Sequence, residues 1–135
     1  LQVCQNKVIR YILDFRSRHH LYVCDFKKVG FLDVASRVDY FTLSLMFSIY
    51  HTAPAYFDDF SLLSHSHGTR YNNMAFSIPK VNSQGKISFK YNGIVLWNSL
   101  PLKIRNIKEK HIFKKECKNY LLDKMFKEES SEFTQ

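Results

Sequence analysis

The sequence predicts a mainly α-helical domain with one small β-hairpin, an α+β arrangement around a long central helix. Apolar residues recur at helical spacing over residues 33–51, alternate over parts of 74–91, and return to helical spacing over 108–126. The chain has 135 residues, of which 45% are hydrophobic and 16% aromatic. It can therefore form a core, and its composition argues against global disorder.

The N-terminal part of the chain carries two helix signals. Residues 1–15 form a predicted helix, in which apolar residues recur at helical spacing at Val8, Ile9, Ile12 and Phe15. Residues 21–29 are predicted to form a shorter helix that ends at Gly30, because glycine readily adopts the left-handed C-cap conformation.

The central helix, residues 33–51, has the strongest pattern. Asp33 is the predicted N-cap. One face of this helix is apolar, with Val34, Val38, Phe41, Leu45 and Ile49. Further apolar residues make the second half apolar on other sides too and predict that it is deeply buried: Leu43, Met46, Phe47 and Tyr50. Pro54 ends the helix, a short helix is predicted over 55–63, and the polar residues 64–73 are predicted to form a loop.

A β-hairpin is predicted over residues 74–91. Its first strand has apolar Met74, Phe76 and Ile78, and its second has Ile87, Phe89 and Tyr91. The turn between them is predicted at residues 82–85, where the sequence is Asn-Ser-Gln-Gly. Lysines occupy the opposite face of the second strand, and Pro79 confines the first strand to an edge.

The segment around the only tryptophan is predicted to be a buried anchor helix of about two turns between Asn92 and Pro101. Its structural anchor residues are Trp97, Leu100 and Pro101. A final helix is predicted over residues 108–126, with Phe113, Cys117, Tyr120, Leu121 and Met125 on one side. Residues 1–126 are predicted to form a single domain, followed by a disordered acidic tail over 127–135.

The positive charge is concentrated in one part of the chain. The formal net charge is +8, and residues 80–118 alone contain ten Lys or Arg against two acidic residues. Such a block is typical of a surface that binds a polyanion, and a solvated basic face is the alternative. The predicted nucleic-acid-binding residues are Arg70, Lys80, Lys86, Lys90, Lys103, Arg105, Lys108, Lys110, Lys114, Lys115 and Lys118.

The three cysteines, Cys4, Cys24 and Cys117, are odd in number and widely spaced. They indicate reduced thiols in a nuclear or cytoplasmic protein that is not secreted, rather than a disulfide framework. No apolar run approaches the length of a membrane span, so no membrane partner is expected. The chain begins at Leu1 within a helical pattern, and we expect it to be a piece of a longer polyprotein.

No catalytic constellation is visible in the sequence. Asp58 and Asp59 follow an aromatic residue but lack the strand context of a metal-binding polymerase turn, and surface or capping carboxylates are the alternative. His65 and His67 lack the paired spacing of a zinc site. We therefore expect no metal, no cofactor and no enzymatic activity in this segment.

Several short sequence segments, taken in order along the chain, resemble those of a known family. The segments are LQVCQNKVIR at 1–10, HTAPAYF at 51–57, HSHGTR at 65–70, IPK at 78–80, SQGKISFKYNGIVLWNSLPLKIR at 83–105 and FKKECKNYLL at 113–122. Together they resemble the region that follows the reverse-transcriptase domain in LINE-type, jockey-like non-LTR retrotransposon polyproteins. The resemblance spans residues 1–122, and Trp-Asn-Ser-Leu-Pro at 97–101 is its best marker.

The resemblance implies that the parent protein is an RNA-directed DNA polymerase whose catalytic aspartates lie upstream of residue 1. Asp58 and Asp59 do not match those aspartates, and the cysteine–histidine knuckle of some related elements is absent from this sequence. The expected function is binding of template RNA or target DNA by an accessory domain. A purely structural module that packs on the polymerase thumb without nucleic-acid contact is the alternative.

Overall fold

The computed structural model describes residues 1–52, 60 and 74–132, with side chains up to residue 129. The described part is mainly helical, as the sequence predicts. Its α-helices are α1 (Gln2–Ile12), α2 (Val23–Val29), α3 (Val34–Thr52), α4 (Phe89–Ser99), α5 (Leu102–Arg105) and α6 (Lys110–Glu132). The predicted short helix at 55–63 and the loop at 64–73 lie outside the described residues, apart from Phe60.

The chain divides into two compact units. The first contains Leu1–Tyr40 and Glu116–Gln135, and the second contains Phe41–Lys115. Helices α3 and α6 each contribute residues to both units.

Local capping chemistry determines the helix ends in the first unit. Helix α2 ends at Gly30, whose φ of 69° is the left-handed conformation that the sequence predicts. The Asp25 carboxylate accepts a hydrogen bond from the Tyr22 backbone N–H (3.1 Å) at the start of the same helix. Asp33 caps α3 through its Oδ1, which accepts from the Ser36 backbone N–H (2.8 Å).

The predicted apolar faces of α1 and of the first part of α3 are largely exposed to solvent. Only Ile9 of the α1 face is buried, whereas Val8 and Ile12 are about half exposed. On α3, Val38, Phe41 and Leu45 are also exposed. The second half of α3 is buried as predicted, through Leu43, Met46, Phe47 and Ile49.

The core of the second unit is aromatic and surrounds Trp97. The indole is fully buried and lies against the rings of Tyr50, Phe76 and Phe113, at centroid distances of 5.5, 6.1 and 5.8 Å. Phe47 adds a ring contact with Phe113 at 4.4 Å. The predicted anchor role of Trp97 and Leu100, both buried, agrees with this packing.

The predicted hairpin over 74–91 is wrong. Helix α4 begins at Phe89, because the Ser88 hydroxyl accepts a hydrogen bond from the Tyr91 backbone N–H (3.3 Å) and caps the helix. Gly85–Ile87 form one turn of 3-10 helix in place of the second strand. The alternating run from Ile87 to Tyr91 is too short to outweigh this cap and the apolar helix that follows it.

The first predicted strand forms only an extended segment around Phe76. The Asn98 side chain makes two hydrogen bonds with the backbone of Phe76. Its Oδ1 accepts from the Phe76 N–H (3.0 Å), and its Nδ2 donates to the Phe76 carbonyl (2.8 Å). The Asn98 amide therefore forms hydrogen bonds with backbone groups that the second strand of the predicted hairpin was expected to pair with.

Helix α6 extends to Glu132, past the predicted end at Phe126 and into the segment predicted to be disordered. Its last turns have tertiary partners, which explains the difference. The Glu129 carboxylate accepts from the Val23 backbone N–H (3.1 and 3.2 Å), and the Lys27 ammonium lies 5.0 Å from the centroid of the Phe126 ring. The predicted core residues Phe113, Cys117, Leu121 and Met125 are buried.

Candidate nucleic-acid interface

The two units differ sharply in net charge. Each contains ten Lys or Arg residues, but the first has nine Asp or Glu and the second has three. The first unit is therefore nearly neutral at +1, and the second carries +7. An uneven distribution of this kind creates a local positive potential that the net charge of the whole chain understates.

Most of the predicted binding residues belong to the second unit, which contains Lys80, Lys86, Lys90, Lys103, Arg105, Lys108, Lys110, Lys114 and Lys115. Lys118 belongs to the first unit, and Arg70 lies outside the described residues. Lys90 and Lys114 are half-buried, Arg105 is buried, and the other six are exposed. We call the eight lysines of this set in the second unit the lysine surface.

Arg105 is not a surface residue, which corrects the sequence prediction. Its guanidinium is buried, and burial lowers its pKa from the ordinary value. Its Nε donates to the Leu100 carbonyl (3.1 Å), and its Nη1 donates to the Met74 carbonyl (3.4 Å). Arg105 therefore holds the backbone together inside the unit and cannot reach a phosphate.

The Met74 carbonyl is also the acceptor for the buried indole. The Trp97 Nε1–H donates to it at 2.8 Å. Trp97 and Asn98 thus fix the segment at 74–76 from α4, while Arg105 reaches it from α5. No sequence pattern predicts this arrangement, because all of these bonds join residues more than twenty positions apart.

The lysines of the two units have different surroundings. In the first unit, ion pairs join Lys27 to Asp123 (3.6 Å), Lys28 to Asp25 (3.2 Å) and Lys124 to Glu128 (3.8 Å). In the second unit, Glu109 is the sole acidic residue among those that the structure describes, and it faces His111 at 3.4 Å. Among the described residues, no carboxylate forms an ion pair with Lys103, Lys108 or Lys115 of the lysine surface.

Two of the three lysines of α6 in the second unit share one side of the helix. Lys110 and Lys114 are one helical turn apart, whereas Lys115 lies about 100° around the helix from Lys114. The Lys110 ammonium donates to the Ser48 hydroxyl at 3.0 Å, a neutral contact that leaves its charge in place.

The aromatic residues near the lysines contribute more to the core than to a stacking surface. Phe89 and Tyr91 are half-buried, and the Lys90 ammonium lies 5.9 Å from the centroid of the Phe60 ring. One large apolar side chain among the lysines is instead strongly exposed: Ile87, at 79%. The hairpin prediction had assigned Ile87 to a packed strand face.

No group of three or more His, Cys, Asp or Glu residues in the described ranges could hold a metal ion. Asp58, Asp59, His65 and His67 lie outside those ranges. Cys4 and Cys24 are exposed free thiols, and Cys117 is buried. Burial, with a smaller contribution from the Glu116 charge, raises the pKa of Cys117 to about 12.

Within the parts of the chain that the structure describes, no helix combines the length and the apolar character needed to cross a bilayer. No protein-family model, curated protein sequence or solved structure matches this chain.

Proposed function

We propose that this chain is a non-catalytic C-terminal region of a non-LTR retrotransposon reverse transcriptase that binds RNA or DNA through the lysine surface. The observation that carries the proposal is the +7 charge of the second unit together with the exposure of six of its eight lysines. Phosphates bind such groups by releasing counterions, without any catalytic residue. The sequence resemblance supplies the retrotransposon context, and the charge supplies the binding chemistry.

The lack of ion pairs between several of these lysines and any described carboxylate supports binding over simple solubility. Ion pairs within a folded unit reduce the field that a polyanion meets, as Lys27 and Lys28 illustrate in the first unit. By contrast, Lys103, Lys108 and Lys115 are exposed and make no ion pair with any described carboxylate. Their charge is therefore available to an external partner.

A structural module without nucleic-acid contact is the second candidate function, and helix α1 favours it. Val3 and Tyr11 of this helix are 67% and 88% exposed, which suits packing against another protein. The upstream polymerase domain is the partner that the resemblance implies. The two functions are separated by whether the isolated chain binds nucleic acid.

The test measures binding of the chain to RNA, single-stranded DNA and duplex DNA over a salt series. Replacing Lys103, Lys108 and Lys115 by Glu should weaken binding to every nucleic acid. It should also reduce the log–log salt slope by about 3, since each lost phosphate contact contributes about 0.9 on duplex DNA.

The matched control replaces Lys7, Arg16 and Arg18 of the first unit by Glu, which changes the net charge equally. These residues are exposed, and the control should retain most of the affinity and the slope. Equal losses in both variants would show that the lysine surface is not the site. Undetectable binding of the unchanged chain at about 50 mM salt would refute the proposed function.

A further inference from the structure

The turn between the extended segment and α4 presents a strongly exposed apolar side chain to solvent. Ile87 is 79% exposed at the end of the 3-10 turn Gly85–Ile87. Exposure of a single isoleucine is ordinary by itself, so its meaning depends on how firmly it is held and on what surrounds it.

Hydrogen bonds within the turn hold Ile87 in place. The Asn82 Oδ1 accepts from the Gly85 backbone N–H (2.9 Å), and the Ser88 hydroxyl donates to the Gly85 carbonyl (2.7 Å). The Ile87 backbone N–H donates to the Gln84 carbonyl (3.1 Å). These bonds fix the backbone at Ile87, so little backbone ordering is required when a partner binds.

Close packing adds to this rigidity. A Cβ on Gly85 would lie 2.7 Å from the Val81 Cβ, so the two backbone stretches approach too closely for any larger residue. This contact places Val81, the sequence neighbour of Lys80, beside Gly85, the sequence neighbour of Lys86.

The charged residues nearest Ile87 in the sequence are all lysines. Lys86 precedes it directly, and Lys90 lies in the first turn of α4. No Asp or Glu occurs between Asp59 and Glu109. An apolar tip beside ammonium groups matches a partner that has accessible apolar faces between closely spaced negative charges. Stacked bases and their phosphates have this pattern, and isoleucine is among the residues that proteins insert between base steps.

We propose that Ile87 inserts between base pairs of duplex DNA while Lys80 and Lys86 bind the adjacent phosphates. The inference rests on the proposed function. It specifies the nucleic acid that the lysine surface binds as a DNA duplex in which adjacent base pairs can be unstacked. An anionic membrane fits less well, because membrane affinity scales with buried apolar area and this turn offers mainly one side chain.

The experiment compares Ile87→Ser with the unchanged chain on two DNA duplexes of the same length, one fully paired and one with a single mismatch. Insertion requires unstacking, which costs less at a mismatch, so the unchanged chain should bind the mismatched duplex more tightly. It should also raise the fluorescence of 2-aminopurine placed beside the mismatch, since this base is quenched by stacking.

Ile87→Ser should lose about tenfold in affinity for the mismatched duplex, as expected when one aliphatic side chain is no longer buried. It should lose the mismatch preference and the fluorescence rise but keep the salt slope, because its lysines are unchanged. Ile87→Met should keep both signals. The control is Tyr11→Ser, an equally exposed position in the first unit, which should change neither.

The outcomes separate the inference from the proposed function. If the unchanged chain binds no nucleic acid, the proposed function and this inference both fail. If it binds with a normal salt slope but Ile87→Ser behaves identically, only the insertion is refuted. Weaker binding of Ile87→Ser to anionic phospholipid vesicles, with unchanged binding to both duplexes, would likewise overturn it in favour of a membrane contact.

Discussion

Replacement of Trp97 tests whether the best marker of the family resemblance is a structural element or a binding residue. The indole is fully buried among Tyr50, Phe76 and Phe113, and its N–H donates to the Met74 carbonyl at 2.8 Å. Because it has no exposed surface, it cannot stack on a base in this structure. Its loss should therefore reduce stability first and binding only as a consequence.

The two substitutions Trp97→Ala and Trp97→Phe separate volume from hydrogen bonding. Trp97→Ala removes the ring and leaves a cavity, which costs about 3–5 kcal/mol of unfolding free energy. Trp97→Phe keeps most of the ring but removes the N–H, which costs about 1–2 kcal/mol. The Met74 carbonyl retains only the longer bond from the Arg105 Nη1 at 3.4 Å. We therefore expect the alanine variant to be the less stable of the two.

Urea unfolding followed by circular dichroism at 222 nm measures these differences, since both variants lack tryptophan fluorescence. Nucleic-acid binding is then compared under conditions in which each variant remains folded, and there it should match the unchanged chain. An alanine variant that unfolds at the same urea concentration as the unchanged chain but no longer binds would refute this reasoning. Equal destabilisation by alanine and phenylalanine would show that the N–H, rather than the ring, dominates.

Two further outcomes follow from groups with shifted pKa values in the first unit. Cys4 and Cys24 should react rapidly with Ellman's reagent, whereas Cys117, fully buried and with a pKa of about 12, should react only as the protein unfolds; three equally fast thiols would contradict the burial of Cys117. Burial alone raises the pKa of Asp25, but the hydrogen bonds from the Tyr22 N–H and Lys28 outweigh it and lower the pKa below 3.8. The folded pKa thus lies below the unfolded one, so the stabilisation is present above pH 3.8 and lost as pH falls through the folded value; Asp25→Asn should flatten the acid unfolding curve there, and an unchanged curve would contradict this.

Local chemistry made several features predictable from the sequence. Gly30 ends α2 and Asp33 begins α3, because capping depends on one residue and the next turn of helix. The long helical periods of α3 and α6 were also identified, since each extends over several turns. The residues that α6 buries followed from the same period.

Features that depend on distant partners were not predictable. The Asn98 amide serves the Phe76 backbone across twenty-two positions, and this replaces the predicted strand pairing. The last turns of α6 are held by a Glu129 carboxylate whose partner is Val23. The acidic, polar composition of residues 127–135 predicted disorder, because composition contains no information about tertiary contacts such as this one.

The short helix α5 shows why a basic sequence block overstates a basic surface. Lys103 and Arg105 are two positions apart, and residues at that spacing point to nearly opposite sides of a helix. Lys103 is exposed, whereas Arg105 lies with Ile104 on the buried side and binds two backbone carbonyls. In a helix of four residues the sequence contains too little period to tell these sides apart. The charge count therefore locates the candidate interface in the second unit, and only the burial of each side chain identifies the charges that a polyanion can reach.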